Sequence, residues 1–132
     1  MNVRSPIRLS FFLALAGVDA VNAGTVIANK GLTLDAGNVK AVYNGELLSK
    51  SGQRLVPVDN LAEQSQFLSK VLDVDVTSYQ NHWTRQSFVN GLSPPAIDNG
   101  DAEVIRFVEQ NPGGVGYIGG AAPAEVKTVM TY

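Results

Sequence analysis

Asn111-Pro112-Gly113-Gly114-Val115-Gly116-Tyr117-Ile118-Gly119 is the stretch on which the reading of this chain turns. Gly114 to Gly119 formally satisfy G-x-G-x-x-G, the pattern of a dinucleotide-binding loop. That chemistry needs the glycines between a strand and a helix, so that backbone can approach a pyrophosphate at the helix N-terminus. Here the order is reversed. A segment from about Asn99 to Gln110, with Asp101 and Glu103 in its first turn and Val104, Phe107 and Val108 inward, reads as a helix ahead of the glycines. Asn111-Pro112-Gly113 ends it, and Val115 to Gly119 reads as a strand. The glycines then belong to a turn and to a strand that packs closely, and the dinucleotide reading fails its context test.

Working outward, Thr25-Val26-Ile27-Ala28-Asn29 is a β-branched run closed by Lys30-Gly31, the pattern of a buried strand. Asp35 can cap a helix with Val39, Val42 and Tyr43 on one face, which Asn44-Gly45 stops. Arg54-Leu55-Val56-Pro57-Val58 reads as another strand, and Pro57, which has no N–H to donate, places it at an edge or at its end. Leu61, Phe67, Leu68, Val71 and Leu72 form a helical stripe, and Asp75 to Gln86 a further helix with Tyr79 and Trp83 on one face. Gly91 and Ser93-Pro94-Pro95 break the chain into a loop, and Val126 to Met130 reads as a closing strand. Strands and helices interleave, which predicts an α/β fold: a three-layer sandwich, its mixed β-sheet flanked by helices.

Composition narrows the function. The chain has 132 residues, enough for one domain, with 10 basic and 12 acidic side chains and no cysteine. Such a balance lacks the clustered positive face that nucleic acid requires. No cysteine and a single histidine exclude thiol chemistry and Cys- or His-rich metal sites, so no metal or cofactor is expected.

The N-terminus reads as an export signal. Arg4 and Arg8 precede the apolar run Leu9-Ser10-Phe11-Phe12-Leu13-Ala14-Leu15-Ala16-Gly17-Val18, which is too short to span a bilayer, a task for roughly 20 residues. Val21-Asn22-Ala23 supplies small residues for a peptidase, so residues 1–23 are expected to be a signal peptide and 24–132 the mature domain. Removal leaves 109 residues carrying 8 basic and 11 acidic side chains, with no membrane span. The periplasm is the expected destination, with secretion as the alternative. Without disulfides the core must come from packing alone.

No catalytic constellation stands out. His82 beside Trp83 has no nucleophile motif with it and reads as a packing residue, and Asp73 and Asp75 read as caps at a helix junction. The segment with most chemical promise is Val58-Asp59-Asn60-Leu61-Ala62-Glu63-Gln64-Ser65, where a strand runs into a helix. Such a junction aims unpaired N–H groups and the positive end of the helix dipole at one point, which suits an oxyanion. Asn60, Gln64 and Ser65 can add side-chain donors, whereas Glu63 competes for the same field. The other reading of the junction is structural: Asn60 caps the helix and Glu63 complements its dipole.

The order of Val26-Ile27-Ala28-Asn29, Val42-Tyr43-Asn44-Gly45-Glu46, Leu55-Val56-Pro57-Val58, the Tyr79–Trp83 helix, Phe88-Val89-Asn90-Gly91 with Pro94-Pro95, and Asn111-Pro112-Gly113-Gly114-Val115-Gly116-Tyr117-Ile118 resembles phosphate-type substrate-binding proteins, the periplasmic components of phosphate ABC importers. The final segment is similar to the P-G-x-I-G-Y strand start of that family. The resemblance implies one lobe of a type 2 periplasmic-binding-protein fold and a non-enzymatic solute-binding function in transport or sensing. The implied ligand is phosphate or a related oxyanion, and the implied partners are an ABC permease, a periplasmic sensor domain or a second copy of the chain. Two departures stand beside it. Members of the family close two lobes over the anion, and this chain matches roughly the second alone. They hold phosphate through an Arg followed by Ser-Gly-Thr at a helix N-terminus, where this chain has Asp59-Asn60-Leu61-Ala62-Glu63-Gln64-Ser65, leaving Asn60, Gln64 and Ser65 as polar stand-ins. Charge-assisted bonds to an anion are worth roughly 1.5–3 kcal/mol each, so the losses remove several powers of ten in affinity. A protein-interaction module that has lost ligand binding is the alternative function.

Overall fold

The computed structural model describes residues 24–132, so the signal peptide read at residues 1–23 lies outside the described residues. In chain order the elements are β1 (Thr25–Ala28), α1 (Ala36–Tyr43), β2 (Ser49–Lys50), β3 (Gln53–Arg54), β4 (Val56–Asn60), and α2 (Gln64–Phe67), which runs into a π-helical turn (Leu68–Leu72). There follow α3 (Val76–Asn90), β5 (Ala96–Asp98), α4 (Asp101–Gln110), β6 (Gly114–Ile118) and β7 (Lys127–Thr131). The main sheet has strand order β5-β4-β6-β1-β7, with β4 parallel to β5 and β6, and β1 antiparallel to β6 and β7. The expected mixed sheet is therefore present.

Alternation along the strands sorts the core into two apolar layers. Ile27, Val58 and Ile118 face α4 and pack on Val104 and Val108. Val26, Ala28, Val115 and Tyr117 point the other way, onto Val39 and Tyr43 of α1, Phe67, Leu68 and Leu72 of the α2 segment, and Tyr79 and Trp83 of α3. The aromatic centre of this layer is tight: the Phe67 and Tyr117 rings stack with centroids 3.9 Å apart, and Tyr43 meets both edge-on at 4.9 and 5.6 Å. The buried Tyr43 hydroxyl donates to the Val58 carbonyl at 2.8 Å, so the polar tip is satisfied.

The glycines of β6 have the role expected of them. Gly114 and Gly116 face α4, and a Cβ on Gly116 would lie 2.5 Å from Val104 Cγ1. Helix and strand touch through the missing side chains. Local signals also place most helix ends. Asp35 and Asp75 occupy N-cap positions, with Asp75 accepting from the Ser78 N–H at 2.8 Å, and Asn44-Gly45 and Gly91 end α1 and α3.

Four features differ from the sequence reading. The strand containing Pro57 is internal, between β5 and β6. The Val56 N–H points to Gly113 of the β6 side, so position 57 points toward β5, which joins the ladder only at Val58; the missing donor of Pro57 faces no partner. Arg54 belongs instead to a short hairpin with Ser49, turned by Ser51 and Gly52, both at positive φ. Ala96–Asp98, just after the expected loop, forms an edge strand too short to show periodicity. Leu61 is 59% exposed because the chain turns between β4 and α2, so the helical stripe starts at Phe67.

Candidate functional site

The parallel strands β4, β5 and β6 end on the same side of the sheet, where the first turns of α2 and α4 begin, the usual place for a ligand in an open α/β sheet. Asp59 and Asn60 end β4, Asp98 ends β5, and Gly119 follows β6. Because successive strand side chains alternate, Asp59 faces the α3 layer and Asn60 the α4 layer. Two adjacent polar residues thus enter separate networks.

Asn60 has no exposed surface. Its amide Nδ2 donates to Asp101 Oδ1 at 2.9 Å and to the Tyr117 carbonyl at 3.0 Å, while its Oδ1 accepts from the Ala62 N–H at 3.1 Å. Asp101, the first residue of α4, also accepts the Gly119 N–H through both oxygens, at 3.2 and 3.1 Å. A carboxylate of the chain itself thus occupies a helix N-terminus and takes the donors that an oxyanion would use. Glu63 adds a second negative charge nearby. It is the N-cap residue of α2, and its carboxylate accepts from the Tyr132 hydroxyl at 3.2 Å and lies against Gly119. Asn60 therefore closes the turn ahead of α2, and the cap position is held by Glu63.

Replacing Asn60 with Ala is expected to destabilise the protein by about 2–3 kcal/mol, because the Tyr117 carbonyl loses the amide donor, Asp101 Oδ1 keeps only the Gly119 N–H, and the Ala62 N–H loses its acceptor. Urea unfolding measures this. A loss below about 0.5 kcal/mol would mean that water replaces the amide freely.

On the opposite face, Asp59 is 3% exposed and accepts the Tyr79 hydroxyl at 2.8 Å and the Tyr117 hydroxyl at 2.7 Å. Burial pushes its carboxyl up to about 6, and the two tyrosine bonds hold back part of that rise. Burial first, and then the Asp59 charge, raises both tyrosines above their ordinary range. Asp59 forms the floor of a groove between α3 and the β4–β5 edge, walled by Tyr79, Trp83, Pro94 and Pro95.

The residues singled out from the sequence are distributed by the fold. Gln64 lies on the groove above Asp59, Asn60 is in the buried network on the other face, and Ser65 lines a separate depression with Ser69, Asp73 and Asp75. His82 donates through Nε2 to the Asn44 carbonyl at 2.7 Å, a packing role shared with Gln86. Asp59 and Asp101 were not among the candidates. Asp59 had one legible signal, an acid directly after the apolar run Leu55-Val56-Pro57-Val58. Among the described residues, no group of three or more His, Asp or Glu side chains is placed to hold a metal ion.

No protein-family model and no curated protein matches the sequence. Solved structures do. An ABC-type phosphate transport receptor from Vibrio cholerae superposes with a TM-score of 0.51 at 15% identity, over 84% of this chain and 47% of the receptor. A phosphate ABC transporter substrate-binding protein from Clostridium perfringens, with phosphate bound, gives 0.57 at 16% identity, over 83% of this chain and 46% of that protein. The fold is that of one lobe of a phosphate-type binding protein. PstS from Borrelia burgdorferi repeats the relation, with a TM-score of 0.52 at 14% identity over 82% of this chain and 47% of its own. The chain spans about half the length of these solved structures. No helix among the described residues is long and apolar enough to cross a membrane.

Proposed function

We propose that this chain is an exported solute-binding lobe, periplasmic or secreted, that acts in transport or sensing with a partner supplying the opposing wall. By itself it holds phosphate or a related oxyanion only weakly. The observation behind this reading is Asp101, whose carboxylate takes the Asn60 amide and the Gly119 N–H at the end of the parallel strands. An incoming oxyanion has to displace that carboxylate or share its donors against like-charge repulsion. An ABC permease, a sensor domain or a second copy of the chain are the candidate partners; of Asn60, Gln64 and Ser65, Asn60 is the proposed contact at this end of the strands, since Gln64 and Ser65 line other depressions.

Calorimetry of residues 24–132 with sodium phosphate is expected to show no saturable heat below the millimolar range, a binding free energy no better than about −4 kcal/mol. Asp101→Asn removes the competing charge and is expected to tighten phosphate by tenfold or more, about 1.4 kcal/mol. Micromolar binding by the unaltered chain would refute the weak-site reading. A second reading, a protein-interaction module without a ligand, draws support from Phe88 and Val89, adjacent on α3 and 93% and 70% exposed. It gains if phosphate binds neither form while Phe88→Ser abolishes a stable complex with a periplasmic protein.

A further inference from the structure

We propose that the groove between α3 and the β4–β5 edge binds a small organic cation, an ammonium group on an apolar body, with the Asp59 carboxylate as its counter-ion. The groove is open to solvent and offers about 450 Å3, a volume in the range of small-molecule sites. Its floor is Asp59, the sole charged side chain among the residues that line it; no Lys, Arg or His is present there. An anion entering the groove meets uncompensated negative charge. A cation meets the opposite.

The chemistry of the walls agrees with the charge. Each Asp59 oxygen accepts one tyrosine hydroxyl, at 2.7 and 2.8 Å, and an ionised carboxylate offers about four acceptor sites, so capacity remains for a further donor. Tyr79 and Trp83 supply aromatic surface, which attracts cations, and Pro94 and Pro95 supply a rigid apolar wall for the body of the ligand. Gln64 and Thr84 sit at the rim as neutral polar groups. The groove lies on the face of the sheet away from Asn60 and Asp101, so this site stands whether or not the other end of the strands binds an oxyanion.

The test uses Trp83, the chain's single tryptophan, as an internal reporter. Benzylamine, protonated at pH 7.5, and the neutral benzyl alcohol are titrated in parallel and followed by tryptophan emission. Benzylamine is expected to give a saturable change and to bind at least about tenfold more tightly than the alcohol, the gain of one charge-assisted hydrogen bond. Asp59→Asn is expected to erase the preference for the amine. Thr84→Arg, which leaves Asp59 and the core untouched and places a cation at the rim, is expected to weaken the amine several-fold without changing the alcohol. Equal affinities for the two probes, no saturable response to the amine in the millimolar range, or an amine affinity unmoved by Thr84→Arg would each overturn the assignment.

Discussion

Gly116→Val should remove a large share of the stability of this protein. Gly116 sits in the middle of β6 on the face covered by α4, where an added Cβ would lie 2.5 Å from Val104 Cγ1, 3.1 Å from Val108 Cγ2 and 3.3 Å from Val58 Cγ1. All three neighbours are valines with restricted rotamers, and two of them are on a helix held by its own ladder, so none can swing aside. Overpacking of this kind costs about 1–3 kcal/mol for one added group, and the two further methyls of Val add to it. A domain of this size has a total stability of about 5–15 kcal/mol, so a loss of 3 kcal/mol or more is a large share of it. Chemical denaturation of three variants separates the cause from a general strand effect. Gly116→Ala should lose about 1–3 kcal/mol; Val104→Ala combined with it should recover about 1 kcal/mol relative to the sum of the single changes; Gly120→Ala, with nothing within 4 Å, should be near neutral. Additive behaviour of the Gly116 and Val104 changes would disprove the close helix–strand contact.

The second large effect is a dependence of stability on pH that comes from Asp59. Its carboxyl titrates at about 6 in the fold against 3.8 for the free side chain, chiefly because burial disfavours the charged form. The folded state therefore holds a proton that the unfolded state releases between these two values. The stability contributed by the protonated carboxyl is fully present below about pH 4 and is lost as pH rises through about 6, a change of about 3 kcal/mol. Other acids titrate over the same range, so the quantity to measure is the difference in unfolding free energy between the protein and Asp59→Asn. That difference should shift toward the Asn variant by up to about 3 kcal/mol between pH 4 and pH 7. Tyr117→Phe supplies the complementary result. It removes the 2.7 Å hydroxyl donor, which matters most to the ionised carboxylate, so its cost should be larger at pH 7.5 than at pH 4.5. A difference that stays flat across this window would show that Asp59 is solvated well enough to keep its ordinary titration.

Local sequence signals specify only part of this structure. The glycines of β6 were legible because the preceding helix, its Asn111-Pro112-Gly113 stop and the β-branched residues around Gly116 all lie within a short window. The caps at Asp35 and Asp75 and the left-handed stop at Gly91 were legible for the same reason. The edge strand Ala96–Asp98 and the Ser49–Arg54 hairpin were not, since two or three residues carry no periodicity and exist only through their pairing. At the candidate site, the strand-to-helix junction of β4 and α2 was legible as an element boundary, with Asn60 turning the chain by accepting the Ala62 N–H. The Asp101 side chain that takes the Asn60 amide is 41 residues away, and nothing near Asn60 announces it.

The sequence by itself determined the main helices and strands, their interleaved α/β order, and the reversed helix–strand order that makes a glycine pattern a packing device. These rest on short-range physics: propensity, capping and the periods of helix and strand. Only the tertiary structure decided what the polar residues do. Asp59 and Asn60 are neighbours in the chain, yet the pleat sends them to opposite faces, and the partners they meet there are set by which helix docks on each face. Asp59 acquires Tyr79 and Tyr117, from 20 and 58 residues away, and with them a buried charge above which a groove opens. Asn60 acquires Asp101, whose carboxylate at the start of α4 also takes the Gly119 N–H from the end of β6.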